Sequence, residues 1–159
     1  MITLNRLGHS DEPFQLNPDM VVTVESTPDT VITLATGAKV VVAETPEEVA
    51  AALHRLGCPL VLDDFAMKTE CFALLRLPGV HYVKLAPEIT AKMRTDKLSQ
   101  AAITAVVQMA RVLGMHTVAK RTESAAEQEW LTALGVDFVQ SNSMSPPVAI
   151  DSLSKPAAR

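Results

Sequence analysis

Two adjacent carboxylates, Asp63 and Asp64, follow directly on the apolar run Pro59-Leu60-Val61-Leu62. Further along, Lys84, Lys120, Glu123 and Gln140 each stand at or just past the end of a short apolar stretch. Carboxylates hold divalent cations, and a lysine positions a water or offsets the charge of a phosphate. Together these residues make a divalent-metal and phosphate set. Neighbouring aspartates repel one another, so the pair needs a counter-charge, a metal ion or full solvation. The plainer alternative is an aspartate that caps the next helix beside a solvated neighbour.

Such a set works only if the chain brings it to one place. From Leu56 onward the pattern alternates strand and helix. Strands are expected at 59–63, 82–85, 115–119 and 136–140. The first, bounded by Gly57-Cys58-Pro59, reads as a buried parallel strand. Helices are expected at 46–56, 68–77, 96–113 and 124–134. Thr45-Pro46-Glu47-Glu48 is a capping box, and Ser124 with Glu127 repeats the spacing. The helix at 46–56 shows an apolar face of Val49, Ala52, Leu53 and Leu56. The helix at 96–113 shows a stripe of Leu98, Ala101/Ala102, Ala105, Met109 and Val112/Leu113. Four βα units with short connections imply an α/β fold with a parallel sheet. Ligands bind at the carboxyl ends of such strands, so the six candidate residues share one mouth.

Residues 1–45 follow a different pattern. Residues 2–7 alternate like a strand, Gly8–Pro13 is a polar turn, and 14–16 is a short extended piece. Val21–Val24 is apolar, and 28–43 reads as a hairpin with its turn at Thr36-Gly37-Ala38. The whole is a small β-meander of about five strands, barrel-like or open. Residues 1–55 hold three cationic and eight acidic side chains, whereas the rest is nearly balanced, which suggests two modules.

Composition narrows the class. A chain of 159 residues that is 48% hydrophobic buries a sizeable core, and a net charge of −4 argues against a non-specific nucleic-acid binder. No apolar run reaches the roughly 18 residues of a membrane span. The opening MITLNRLG lacks the long apolar stretch of a secretory signal, so a cytoplasmic location is expected. Cys58 and Cys71 fit neither a disulfide framework nor a zinc site and read as buried small hydrophobes. His54, His81 and His116 lack ligand spacing. Trp130 reads as a core or interface residue.

The first module resembles the flagellar FlbD family. The resemblance rests on Ile2-Thr3-Leu4, Arg6-Leu7, Leu16-Asn17-Pro18-Asp19, Val24-Glu25 and, above all, Thr27-Pro28-Asp29-Thr30-Val31-Ile32-Thr33-Leu34 followed by Gly37 and Lys39-Val40-Val41-Val42. It covers about 1–53 and implies a non-enzymatic motility accessory.

A second resemblance, over about 53–150, is to the C-terminal half of EAL domains, the cyclic-di-GMP phosphodiesterases. It is carried by Leu53-His54-Arg55-Leu56-Gly57, Leu62-Asp63-Asp64-Phe65, Leu75-Arg76-Leu77-Pro78, Tyr82-Val83-Lys84, Leu113-Gly114-Met115, Val118-Ala119, Thr122-Glu123, Leu134-Gly135, Phe138-Val139-Gln140 and Ser145-Pro146. The resemblance implies that Asp63 and Asp64 correspond to metal-binding carboxylates, Lys84 to the active-site lysine, Glu123 to a glutamate and Gln140 to a glutamine of the site. Several departures stand out. The Glu-Ala-Leu signature is missing, a glutamate position is occupied by Lys120, and Ala86 and Asn142 replace an acid and an aromatic.

The expectation is four βα units forming half of a TIM-like barrel (46–150), preceded by a small β-rich module (1–45) and followed by a disordered tail (151–159). Two aspartates and one glutamate beside Lys84 and Lys120 cannot offset the roughly four positive charges of a two-metal site. The set is then vestigial. The reading is a catalytically inactive, EAL-like regulatory or protein-interaction module, motility-linked and cytoplasmic. It would work without a cofactor, as a homodimer or with a protein partner. The alternatives are a cyclic-di-GMP sensor, or a phosphodiesterase using Mg or Mn and completed by dimerisation or a partner.

Overall fold

The computed structural model describes residues 1–26, 28–120, 122, 124–141, 146 and 148–149. The tail at 151–159 and Thr27 in the turn at 27–29 lie outside the described residues. The chain divides into two compact units, Met1–Leu60 with Phe72–Val80, and Val61–Cys71 with His81 onward.

The first unit is built on an antiparallel sheet of β1 (Ile2–Arg6), β2 (His9–Leu16), β3 (Val21–Ser26), β4 (Thr30–Leu34) and β5 (Lys39–Val42), in the order β2-β1-β5-β4-β3. The sheet is therefore open. The stretch expected as a polar turn at 8–13 is mostly strand, because β1 and β2 form a hairpin pairing Ile2 with Leu16 and Asn5 with Pro13. The reversal is compressed to Leu7-Gly8, with Gly8 at φ 79°. Pro13 is tolerated because β2 is an edge strand. The expected hairpin is present, pairing Thr30 with Val42 and Thr33 with Lys39.

Helix α1 (Pro46–Arg55) begins with the reciprocal capping box: Thr45 Oγ1 accepts from Glu48 N–H, and Glu48 accepts from Thr45 N–H. Its Val49 and Leu53 complete a core with Ile2, Leu4, Leu16, Ile32 and Val42. Ala50, outside the expected stripe, is buried, while Leu56 is exposed. Leu56 lies past the last helical residue, so helical spacing no longer aims it at the sheet.

The second unit holds β6 (Leu60–Phe65) and β7 (Val80–Leu85) apart from their first residues, with β8 (His116–Lys120) and β9 (Phe138–Gln140), hydrogen-bonded in that order. Pairs β7–β8 and β8–β9 are parallel, with Lys84 beside Val118 and Lys120 beside Gln140. The bonds Leu60 N–H to Gly79 O and Ala86 N–H to Phe65 O advance together along both chains, so β6 runs the same way. Contrary to expectation, β6 is buried only at Phe65: Val61, Asp63 and Asp64 are exposed and Leu60 and Leu62 half-buried, as suits an edge strand.

The helices are α2 (Thr69–Leu74), α3 (Pro87–Thr90), α4 (Lys97–Val112) and α5 (Ala125–Ala133). Asp96 caps α4 by accepting from Leu98 and Ser99 N–H. The expected α4 stripe is not its buried face. Leu98 is 76% and Val112 85% exposed, whereas Ser99, Ile103, Val106, Val107 and Ala110 are buried. The helix is apolar over a broad arc, and its packing on β8 and α3 selects one side of it. Cys58 and Cys71 are free and half-buried rather than buried. Trp130 is half-buried.

Candidate functional site

Along β7 and β8, alternate side chains face opposite ways. Val83, Leu85, Thr117 and Ala119 are fully buried. Lys84 and Lys120 belong to the other set and are half-buried. At the β6 end, Lys120 Nζ lies 2.6 Å from Asp63 Oδ1 and 2.5 Å from Asp64 Oδ1. The lysine side chain is 16% exposed, against 60% and 64% for the aspartates.

Two consecutive strand residues cannot normally reach one partner, because they point to opposite faces. Asp64 breaks the alternation. Its φ is 51°, the only positive value on a non-glycine residue among the described residues. Aspartate tolerates this left-handed conformation better than most residues. Asp63 Oδ1 also accepts from Asp64 N–H at 2.9 Å, closing a small ring around the turn. Nothing in the residue order announces this backbone reversal. The adjacent aspartates were a visible signal, but their convergence on one ammonium was not.

The electrostatics follow the geometry. Burial works against ionisation of Asp63. The hydrogen bond from Lys120, that from Asp64 N–H and the charges of Lys120 and Lys84 outweigh it, so the carboxyl sits below its usual range. Burial likewise works against the Lys120 ammonium, and its bonds and attraction to Asp63 and Asp64 raise its pKa above the ordinary value.

Of the other candidates, Lys84 acts on Asp63 through its charge. Gln140 is exposed on β9 beside Lys120, and its backbone carbonyl accepts from Thr122 Oγ1 at 3.4 Å. Glu123 lies outside the described residues. A cavity of about 280 Å³ opens beside Lys120, lined also by Pro87, Thr90, Met93, Thr122 and Glu127. Ligand pockets usually start near 300 Å³, so the cavity is at the small end of that range. Neither α3, which supplies much of this wall, nor the part played by Thr122 was evident from the sequence. The signal available for α3 was Pro87 at a helix start followed by Glu88.

A parallel α/β sheet with carboxylates and lysines at its carboxyl ends defines a class of ligand-site proteins. The chain belongs to the EAL domain family, which it matches over residues 17–147. That match begins inside the first unit, ahead of residue 53, where the motif resemblance starts. The chain is 28% identical over 99 residues to the probable cyclic di-GMP phosphodiesterase PdeN of Escherichia coli, covering 62% of this chain and 19% of PdeN. Among solved structures, it resembles a PaMucR phosphodiesterase–c-di-GMP complex at 27% identity and a TM-score of 0.58, over 67% of this chain and 43% of that one. It also resembles a manganese/c-di-GMP complex of Klebsiella pneumoniae BlrP1, at 28% identity and a TM-score of 0.54, over 59% and 24%. The chain thus spans less than half the length of each.

The manganese in that relative prompts a test of fit here. Among the described residues no three His, Cys, Asp or Glu side chains gather to hold a metal ion. The two aspartates that do meet already face an ammonium. The described residues do not fit a divalent cation. No helix among them is long and apolar enough to cross a membrane.

Proposed function

We propose that this chain is a catalytically inactive, EAL-like regulatory or protein-interaction module, cytoplasmic and motility-linked. The observation that carries the inactive reading is Lys120 bridging Asp63 and Asp64. A divalent ion at those carboxylates would have to displace a tethered cation that costs no binding entropy to bring in. It would also sit within reach of that cation's repulsion. In this reading, four βα units form half of a TIM-like barrel, and residues 1–45 are an FlbD-like β module. Lys84, Glu123 and Gln140 are vestiges of a catalytic set, as Asp63 and Asp64 are of a metal site.

The test is hydrolysis of cyclic-di-GMP by the purified chain in Mg or Mn, paired with calorimetric Mn titration. The expected result is no turnover and no Mn heat, with Mn binding gained in Lys120→Glu. Turnover by the wild type that disappears in Asp63→Asn would overturn the reading.

A second reading, a cyclic-di-GMP sensor, is favoured by the cavity beside Lys120 and by the c-di-GMP found with PaMucR. There Lys120 and Lys84 would meet phosphate. Calorimetry with the dinucleotide in the absence of metal separates the two, since a silent titration at high micromolar ligand removes the sensor.

A further inference from the structure

Below the charged residues, the same face of the second unit's sheet carries three rings from three strands. Tyr82 and His116 lie 5.6 Å apart, Tyr82 and Phe138 6.1 Å, and His116 and Phe138 5.7 Å, between ring centroids. These are ordinary spacings for interacting rings. Yet Phe138 is 50% exposed, His116 is exposed, and Leu62, the β6 residue beside Tyr82, is only half-buried. On the opposite face Val83, Leu85, Thr117 and Ala119 are fully buried, with α4 packed on β8 and α5 on β9. A parallel sheet ordinarily has both faces covered. This one has its helices on one side and a ring cluster with little cover on the other.

We infer that the face bearing Tyr82, His116 and Phe138 is the contact surface for a second copy of this chain. Three observations select that occupant. The sheet has four parallel strands, and β6 and β9 each have a ladder neighbour on one side only among the described residues. Two copies about a two-fold axis along the strands set β6 of each beside β9 of the other. All eight strands then run in one direction, and eight is a number at which inward side chains fill a closed sheet. The rings supply the volume that such an interior needs. The charges at the carboxyl end also cancel within each copy, Asp63 and Asp64 against Lys84 and Lys120, so two copies meet without net repulsion there. The inference rests on the half-barrel part of the proposal above and is independent of whether the site is catalytic.

The experiment follows the wild-type chain from about 1 to about 100 µM, a range in which mass action should reveal a reversible dimer. Light scattering gives the mass, and hydroxyl-radical labelling gives the accessibility of Tyr82 and Phe138. The expected result is a doubling of mass with a several-fold fall in labelling of both rings. The variant Phe138→Asp, checked for folding by circular dichroism, should remain monomeric throughout. If Phe138→Asp fails to fold, the wild-type labelling still decides. A folded monomer at the highest concentration overturns the inference and leaves the face to another partner. A dimer whose rings label unchanged overturns it in favour of another surface, such as the exposed Leu98–Val112 side of α4. Mass and ring labelling are read separately from turnover, so failure here is distinguishable from failure of the inactive reading.

Discussion

The two units use apolar residues differently. In the first, Ile2, Leu4, Ile32 and Val42 from the sheet meet Val49 and Leu53 from α1, and the cluster is closed by its own chain. Antiparallel sheets tolerate this economy, since one face is packed and the other solvated. In the second, helices cover one face of a parallel sheet, while Phe138 on the other remains half exposed. The first unit's cluster is closed by its own chain, whereas one face of the second unit's sheet keeps Phe138 half exposed. Apolar residues in the two units thus carry unequal stability, because only those with neighbours on all sides return their full burial energy.

Paired truncations test the contrast most directly. Ile32→Ala should cost about 2–5 kcal/mol, as for a fully buried aliphatic, whereas Phe138→Ala should cost only about 1 kcal/mol in the monomer. Urea denaturation measures both, and equal losses would erase the distinction drawn here.

Next in size is the clasp between β8 and β9. Asp137 accepts from Thr117 N–H at 2.7 Å and from Thr117 Oγ1–H at 2.8 Å, and Thr117 is fully buried. Asp137→Ala leaves those donors without an acceptor and should cost about 1–3 kcal/mol. Burial opposes ionisation of Asp137, but the Thr117 bonds and neighbouring His116 outweigh it, so its carboxyl lies below the usual range. A carboxyl depressed in the folded state contributes stability above its unfolded pKa, and that stability is lost as pH falls through the folded value. Thermal melts should therefore decline below about pH 4 in the wild type. Asp137→Asn should decline less steeply there, and a coincident acid limb would refute the assignment.

Smaller effects probe backbone rather than packing. At Asp64, φ 51° penalises a β-branched side chain, so Asp64→Val should be less stable than Asp64→Gly by about 1–2 kcal/mol. Reversed order in chemical denaturation would mean that the left-handed turn is not populated. Thr45→Ala removes the α1 cap and should cost about 1 kcal/mol, with a matching loss of Tm for the first unit's helix signal.

Legibility followed the range of the interaction. The capping box at Thr45, the hairpin over 30–42, the helix at 97–112 and the four short parallel strands were readable, since each depends on residues a few positions apart. The strand at 9–16 was not, because its polar residues look like a turn until β1 lies beside them. The site was half legible. Asp63, Asp64, Lys84 and Lys120 fall at strand ends by counting alone. What counting missed is that Asp64 turns left-handed and that Lys120, 56 residues on, takes both carboxylates.

The amino-acid order by itself determined the element types, the parallel arrangement of the second unit and the carboxyl-end placement of its charges, because periodicity, caps and turn residues act locally. Only tertiary structure decided which arc of α4 is buried, which face of β6–β9 is left open, and which cation neutralises the aspartate pair. Those outcomes depend on which surfaces meet, and two stripes of equal hydrophobicity or two lysines of equal charge are indistinguishable until a neighbour arrives.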